Sequence, residues 1–391
     1  MAGTSGGDQP ARVHAPGSCV QTAPWPALSQ RGRLARLACV RPLLHTPHRA
    51  LGHRTKKIAK SYTLAEVLDW TRRKTYILLV LATVPALLYQ VFGLTWIAAP
   101  WSVAVLLGAA TSFIVGFKNA QTYQRTVEAQ QVWSAIVGTS RYWGLITRMF
   151  PTTGGSSQLL IHRHLAWLTV LRHQLRQGRV WESANSRANA EYRQKHFRVP
   201  EHETTLDAEL SPLLSEPERQ RVVASTHQGT LLLSLQSDTL RELYARQELA
   251  VLHHTELQKT IKEFLDQQSR VERIKNFPYP RQYATINTLF VWCFAIVLPF
   301  CLVREFDRLN DSVSGLLAGH MVWLSVPFSV LISWMYMSLD QVGESTENPF
   351  EGGANDVPMA HLCRGVEIEL RGMLGESGLP PLPQPENQIV L

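Results

Sequence analysis

Charged side chains are missing from three long stretches of this sequence. Residues 75–117, 282–303 and 312–339 contain no Asp, Glu, Lys or Arg. A helix needs about 20 residues to cross the hydrocarbon core of a bilayer, and a charged group at its centre is costly. The first stretch has room for two spans joined by a tight turn near residues 92–100. The sequence therefore predicts an integral, multi-pass membrane protein with four spans.

Paired cysteines and enzyme motifs are also lacking. The five cysteines show neither a CxxC spacing nor the regular framework of a disulfide-linked domain. The sequence contains no P-loop, no GxSxG motif and no HExxH motif. The pairs His162/His164 and His253/His254 could bind a metal, but without paired acids or cysteines they fit solvated helix faces better. We therefore expect a protein that is not an enzyme and that carries no cofactor and no metal.

The positive charge is distributed as expected for a membrane surface. The formal net charge is +8, and basic residues are concentrated in the first 74 residues and beside the uncharged stretches. Basic residues at span ends mark the cytoplasmic side and attract anionic lipids. Neither turn within a predicted hairpin is net basic, so both termini and the middle of the chain are predicted to be cytoplasmic. We expect membrane lipids, and no nucleic acid, as partners.

The chain divides into six segments on these criteria. Residues 1–60, rich in Arg, Pro and Ala, are predicted to be a disordered tail, an upstream mis-start of the reading frame, or a targeting segment. The other expected segments are an N-terminal helix and hairpin over 61–118 (spans 75–96 and 98–118), a helical cytosolic domain over 119–280, a second hairpin over 281–339 (spans 282–303 and 312–339), a cytosolic segment and helix over 340–372, and a disordered tail over 373–391.

Local patterns refine this division. Thr63 and Glu66 are spaced as the N-cap and N3 residues of a capping box, which predicts a helix start. Apolar periodicity predicts that span 2 continues as a helix over 119–150. A second helix is predicted over 158–178, and two long helices before residue 273, with a break near 246–248.

The second predicted span has an unusual composition. Small residues that allow close helix approach are frequent there. Ala109, Phe113 and Phe117 follow at i, i+4 and i+8, so they share one helix face. In a symmetric assembly with this span nearest the axis, the face would form apolar rings, which can gate a pore by dewetting. Ordinary helix packing is the alternative.

Several motifs together make the chain similar to a known family. The matching segments, in chain order, are 112–119 (SFIVGFKN), 123–125 (YQR), Glu128, Trp133, 277–283 (FPYPRQY), 298–300 (LPF), 347–350 (ENPF) and 355–358 (NDVP). Over about residues 61–372, the chain resembles the bestrophin family of pentameric ion channels, most of all its prokaryotic and plastid branch. One departure is the pair Thr126 and Val127, which stands where that branch has two tryptophans.

The resemblance implies an all-α membrane protein that forms a homopentamer. Each subunit would have four transmembrane helices and a helical cytosolic domain. Ala109, Phe113 and Phe117 would fall at the three positions of an apolar pore neck. Lys118, Asn119 and Arg125 would then flank a cytosolic vestibule, where the two cations would attract anions.

Two further sites are suggested by the same resemblance. A second constriction is suggested near Leu231 and Leu235. In animal members an acidic cluster after the Asn-Pro-Phe motif binds calcium. Here Asn348 and Asp356 remain, but glycine stands where a carboxylate would be expected. Since calcium prefers six to eight oxygen ligands, several of them charged, we do not expect it to be a cofactor.

The predicted function is passive conduction of monovalent anions, chloride foremost. A cation channel of the same architecture and a non-conducting membrane scaffold or ligand sensor remain as alternatives. The predicted location is a bacterial inner membrane, with the plastid thylakoid membrane as the alternative.

Overall fold

The computed structural model describes residues 63–391 except 152–153, 313, 315–318, 388 and 390. The predictions for residues 1–60 lie outside the described residues. Over the described part the chain is almost entirely helical, with a single isolated β-bridge between Glu386 and Ile389. Its α-helices are α1 (Leu64–Gln90), α2 (Trp101–Met149), α3 (Gly154–Arg176), α4 (Arg187–His196), α5 (Pro200–Glu203), α6 (Leu206–Leu210), α7 (Glu216–Ala224), α8 (Gln228–Ala245), α9 (Val251–Asn276), α10 (Arg281–Arg308), α11 (Ser325–Ser345) and α12 (Met359–Met373).

Helix α1 begins where the sequence predicts and ends earlier than predicted. The Thr63 hydroxyl accepts the Glu66 N–H, and the Glu66 carboxylate accepts the Thr63 N–H, which confirms the capping box. Helix α1 stops at Gln90, although span 1 was predicted to reach residue 96. Gly93 follows with φ of 65°, a left-handed conformation that ends helices, and the Leu94 N–H donates to the Leu88 carbonyl.

Three helical segments in the described part are long and apolar enough to cross a membrane. They are Thr95–Met149, Arg281–Asp311 and Met321–Ser345. Helix α1 is not among them, because its uncharged part, residues 75–90, extends only about 24 Å at 1.5 Å per residue. Helix α2, with 49 residues, extends for about 70 Å and therefore continues well beyond a 30 Å hydrocarbon core.

Helices α1, α2, α10 and α11 pack together through small apolar clusters. One cluster takes a residue from each helix, namely Leu78, Val115, Val291 and Met337, with Ala295 as a second from α10. Gly108 allows α10 to approach α2 closely, since a Cβ at this position would lie 3.0 Å from the ring of Phe294. The buried side of α2 thus lies against α10 and α11.

The second half of α2 anchors the largest hydrophobic core. Trp133, Ile136 and Trp143 are buried there against α3, α8, α9 and α12. The continuation of span 2 through residue 149 and the break near 246–248 are as predicted, since α8 ends at Ala245 and α9 begins at Val251. Residues 182–212 contain three short α-helices, α4 to α6.

The C-terminal segment differs from the predicted disordered tail. Leu391 packs in a small cluster with Phe197 and Val199, and its carbonyl accepts the His361 N–H at 3.0 Å. The Asn387 amide donates to the carbonyl at the end of α4, that of His196, at 2.6 Å. The proline-rich composition suggested disorder, but these long-range contacts fix the segment against α4 and α12.

Candidate functional site

The three predicted neck residues lie together on the uncovered face of α2. Phe113 is 77% exposed and Phe117 is 49% exposed in the subunit, and Ala109 is also exposed. The residues on the opposite side of the helix are buried, namely Ala104, Gly108, Thr111, Val115, Lys118 and Thr122. Helix α2 therefore presents an apolar face that the described helices of its own subunit do not cover.

Leu106 belongs to the same face, although the sequence analysis did not include it. This side chain is 76% exposed and precedes Phe113 by seven residues, or about two helical turns. The i, i+7 spacing from Phe113 could have identified it. The uncovered face carries no charged side chain from Ser102 to Gln124.

Lys118 does not belong to this face. It is only 4% exposed, and its ammonium group donates to the Asp340 carboxylate of α11 at 2.9 Å. The same carboxylate oxygen accepts the side-chain amide of Asn287 from α10. The expectation that Lys118 supplies free positive charge to a vestibule is therefore corrected, because Asp340 compensates its charge inside the helix bundle.

Asn119 and Arg125 also join α2 to other parts of the subunit. The Asn119 amide donates to the Leu339 carbonyl at 3.1 Å. Gly343 leaves room for this side chain, since a Cβ there would lie 2.3 Å from Asn119 Oδ1. The Arg125 guanidinium donates to the carbonyls of Glu347 and Ile274, both at 3.0 Å. These contacts fix the position of α2 at the point where it leaves the membrane helices.

Leu231 and Leu235, the residues suggested for a second constriction, differ in how far they are buried. Leu235 is only 8% exposed, and Leu231 is partly buried against the main core. Leu235 therefore has almost no side-chain surface left to line a pore in this subunit. The family resemblance suggested this part of α8, but within the subunit both side chains are at least partly covered.

Asn348 and Asp356 belong to a buried polar network. The Asp356 carboxylate accepts the Gly352 N–H at 2.7 Å and the Arg176 guanidinium at 3.2 Å. The Asn348 amide donates to the Glu351 carboxyl at 3.4 Å. The Asp356 carboxylate is thus already paired with an arginine. Among the described residues, no group of three or more His, Cys, Asp or Glu side chains could hold a metal ion. The arrangement does not fit a calcium site.

Burial dominates the electrostatics of this network. Desolvation, followed by the nearby charge of Asp356, raises the pKa of Glu351 to about 8. Desolvation also raises the pKa of Asp356 to about 6, although Arg176 opposes the change. Glu351 is therefore mostly protonated at neutral pH, and the network holds a carboxyl proton that an exposed carboxylate would lose.

Comparison with known proteins identifies relatives over most of the chain. The family model described as Bacterial/Fungal Bestrophin protein matches residues 53–372. A Salmonella typhi protein named voltage-dependent anion channel-forming protein YneE is 27% identical over 306 residues, which cover 78% of this chain and 85% of the relative. Its Escherichia coli K12 namesake is 26% identical over 294 residues, with 75% and 82% covered.

The fold agrees with that of a solved bacterial protein. The crystal structure of a bacterial bestrophin homologue from Klebsiella pneumoniae superposes with a TM-score of 0.65 at 23% identity, covering 78% of this chain and 99% of that one. The resemblance seen in the motifs is thus confirmed by the family match and by the fold. This chain is an integral membrane protein that belongs to the bestrophin family.

Proposed function

We propose that this bestrophin is a passive channel that conducts monovalent anions, chloride foremost, through a central pore. The observation that carries the proposal is the uncovered apolar face of α2. Large apolar side chains at successive turns need a partner surface, lipid, or a special role such as a gate. The curated relatives carry the name of anion channel-forming proteins, which supports this role for the face.

The proposed assembly is a homopentamer with α2 innermost. Five copies of Phe113 and Phe117 would form two apolar rings, with the smaller Ala109 giving a wider ring beside them. Because the opposite side of α2 lies against α10 and α11, the subunit's own helices leave this face free to line an axis. Below the rings, the charge-free face of α2 would lead to a wide cytosolic vestibule.

The membrane topology is proposed to have four spans. The uncharged part of α1 packs in the same cluster as the three longer apolar helices, and local thinning of the bilayer accommodates a short span at modest cost. Both termini and the α3–α9 region would face the cytoplasm, and the membrane would be a bacterial inner membrane.

Membership of the bestrophin family and the names of the relatives agree with the prediction that the chain is not an enzyme.

A comparison of two matched substitutions tests the neck. Purified wild-type protein, Phe113→Ala/Phe117→Ala and Phe328→Ala would be recorded in planar bilayers in symmetric KCl. Phe328 is an exposed phenylalanine of α11 and serves as the control. We expect the double variant to raise the open probability or the unitary conductance, because smaller side chains lower the cost of wetting the neck. Currents unchanged from the wild type would contradict the assignment of the neck, and an absence of current from all three intact oligomers would favour a scaffold.

A further inference from the structure

A cavity with a volume of about 170 Å³ lies where four parts of the chain meet. These are the first turns of α1, the short helix α4, the C-terminal end of α11 and the loop 351–355. Its walls are mainly apolar and aromatic, formed by Val67, Trp70, Tyr192, Phe197, Val342 and Ala354. Concave, mostly apolar sites with a few polar groups are typical of small-molecule binding.

The volume limits the size of the occupant. An engineered apolar cavity of 150 Å³ in another protein binds benzene. A cavity of about 170 Å³ therefore accommodates one phenyl ring, or an aliphatic group of similar size, and is too small for the two acyl chains of a membrane lipid.

The wall of the cavity is held in place by hydrogen bonds. The Trp70 indole N–H donates to the Asn189 side-chain oxygen at 3.0 Å. The Asn189 amide in turn donates to the Ser183 carbonyl, also at 3.0 Å. This chain of bonds joins α1 to the start of α4, so the aromatic wall is formed before any ligand arrives.

Arg193 is the one cation on the cavity wall. In the part of the chain that the structure describes, its guanidinium forms neither a hydrogen bond nor an ion pair. The basic side chains around it differ in this respect, since Arg72, Arg73 and Lys195 are each paired with Asp69 or Glu191. Burial and then the charge of Arg193 lower the pKa of the nearby His202, which favours its neutral form, so it adds no second positive charge beside the guanidinium.

Two carboxyl groups, those of Glu66 and Glu351, line the cavity beside Arg193, and both already accept hydrogen bonds from the chain. Glu351 is mostly protonated at neutral pH because its pKa is about 8. Its oxygens already accept the Ser183 N–H at 2.9 Å and the Ser183 hydroxyl at 2.8 Å. The Glu66 carboxylate accepts the Thr63 N–H at 2.9 Å, at the N-terminus of α1, where the helix dipole favours a negative charge. Arg193 is therefore the group on the cavity wall that can pair with an anion.

We propose that this cavity is a binding site for a small aromatic monocarboxylate. The ring lies among Trp70, Tyr192 and Phe197, and the carboxylate accepts hydrogen bonds from the Arg193 guanidinium, whose planar fork matches a carboxylate. The site is distinct from the α2 face and stands independently of the ion that the channel conducts.

Calorimetric titration of the full-length protein with 3-phenylpropionate tests the site. We expect saturable binding at one site per subunit. Arg193→Gln is expected to weaken binding by about 10-fold or more, since hydrogen bonds to charged groups are the strong ones. Arg187→Gln, which removes an exposed arginine from the same helix and outside the cavity, is the matched control and is expected to bind like the wild type.

Two further measurements separate this site from non-specific partition into detergent. The cationic analogue 3-phenylpropylamine is expected to bind at least about 10-fold more weakly than the acid. Ala354→Phe is expected to abolish binding by filling the cavity. The proposal would be overturned if Arg193→Gln bound the acid as tightly as the wild type, or if the amine bound more tightly than the acid. It would also be overturned if a correctly eluting wild-type oligomer showed no saturable binding.

Discussion

Removal of either partner of the Lys118–Asp340 ion pair is predicted to destabilise the helix bundle strongly. Both side chains are almost fully buried, and their charged atoms lie 2.9 Å apart. A buried charge that loses its partner keeps its desolvation penalty without the compensating attraction. Such losses cost about 3–5 kcal/mol. We expect this decrease in the free energy of unfolding for Lys118→Met and for Asp340→Leu.

The double variant distinguishes this mechanism from a simple loss of packing. Lys118→Met/Asp340→Leu leaves no unpaired charge, so it is expected to be more stable than either single variant, with coupling of roughly 0.5–3 kcal/mol. Asn287 would still lose its acceptor on Asp340, so full recovery is not expected.

The exposed pair of Arg141 and Glu369 provides a control for the buried one. Its atoms are closer, at 2.6 Å, but both side chains are largely exposed, and exposed pairs contribute roughly 0–1 kcal/mol. Chemical denaturation in micelles, followed by circular dichroism, would give the free energies. A Lys118 variant that loses no more stability than Arg141→Gln would contradict a buried, compensated charge pair. Strictly additive losses in the double variant would contradict it as well.

Three other outcomes are expected. Native Glu351 keeps its proton to about pH 8, whereas an unfolded glutamate loses it near pH 4.5. The free energy of unfolding is therefore predicted to fall as the pH rises between these values. Glu351→Gln should flatten this pH dependence in melting-temperature measurements. Gly144→Ala should cost about 1–3 kcal/mol, since its Cβ would lie 2.3 Å from Leu370, whereas Gly138→Ala meets nothing within 4 Å and should be neutral or stabilising in the same thermal assay. An apolar neck without hydrogen-bond donors should admit weakly hydrated anions most readily, because they lose their water at the lowest cost. Measurements of bi-ionic potentials should therefore show thiocyanate and iodide to be more permeant than chloride. The opposite order would contradict an apolar neck.

Local sequence signals were sufficient for much of the helical architecture. The Thr63–Glu66 capping box, the long helix α2 and the break between α8 and α9 each depend on residues within a few positions of one another. The charge-free stretches located the apolar helices for the same reason. The predicted neck residues share a face because helical periodicity is itself a local property.

Long-range contacts explain what the sequence could not predict. Asp340 lies 222 residues from Lys118, so nothing near Lys118 shows that its charge is compensated. Leu235 follows a helical pattern like that of Phe113. The face of α8 that carries Leu235 nevertheless packs inward, whereas the face of α2 that carries Phe113 does not. Similarly, the proline-rich C-terminal segment is held by distant residues of α4. Which helix face is covered depends on the tertiary arrangement, not on the helix alone.

The reversal potential of the wild-type protein shows directly whether the channel conducts anions. Purified oligomer in a planar bilayer would be recorded under a KCl gradient, with the neck variant Phe113→Ala/Phe117→Ala beside it. We expect the wild-type current to reverse close to the chloride equilibrium potential. A current that reverses close to the potassium potential would contradict anion conduction, even with the proposed neck intact.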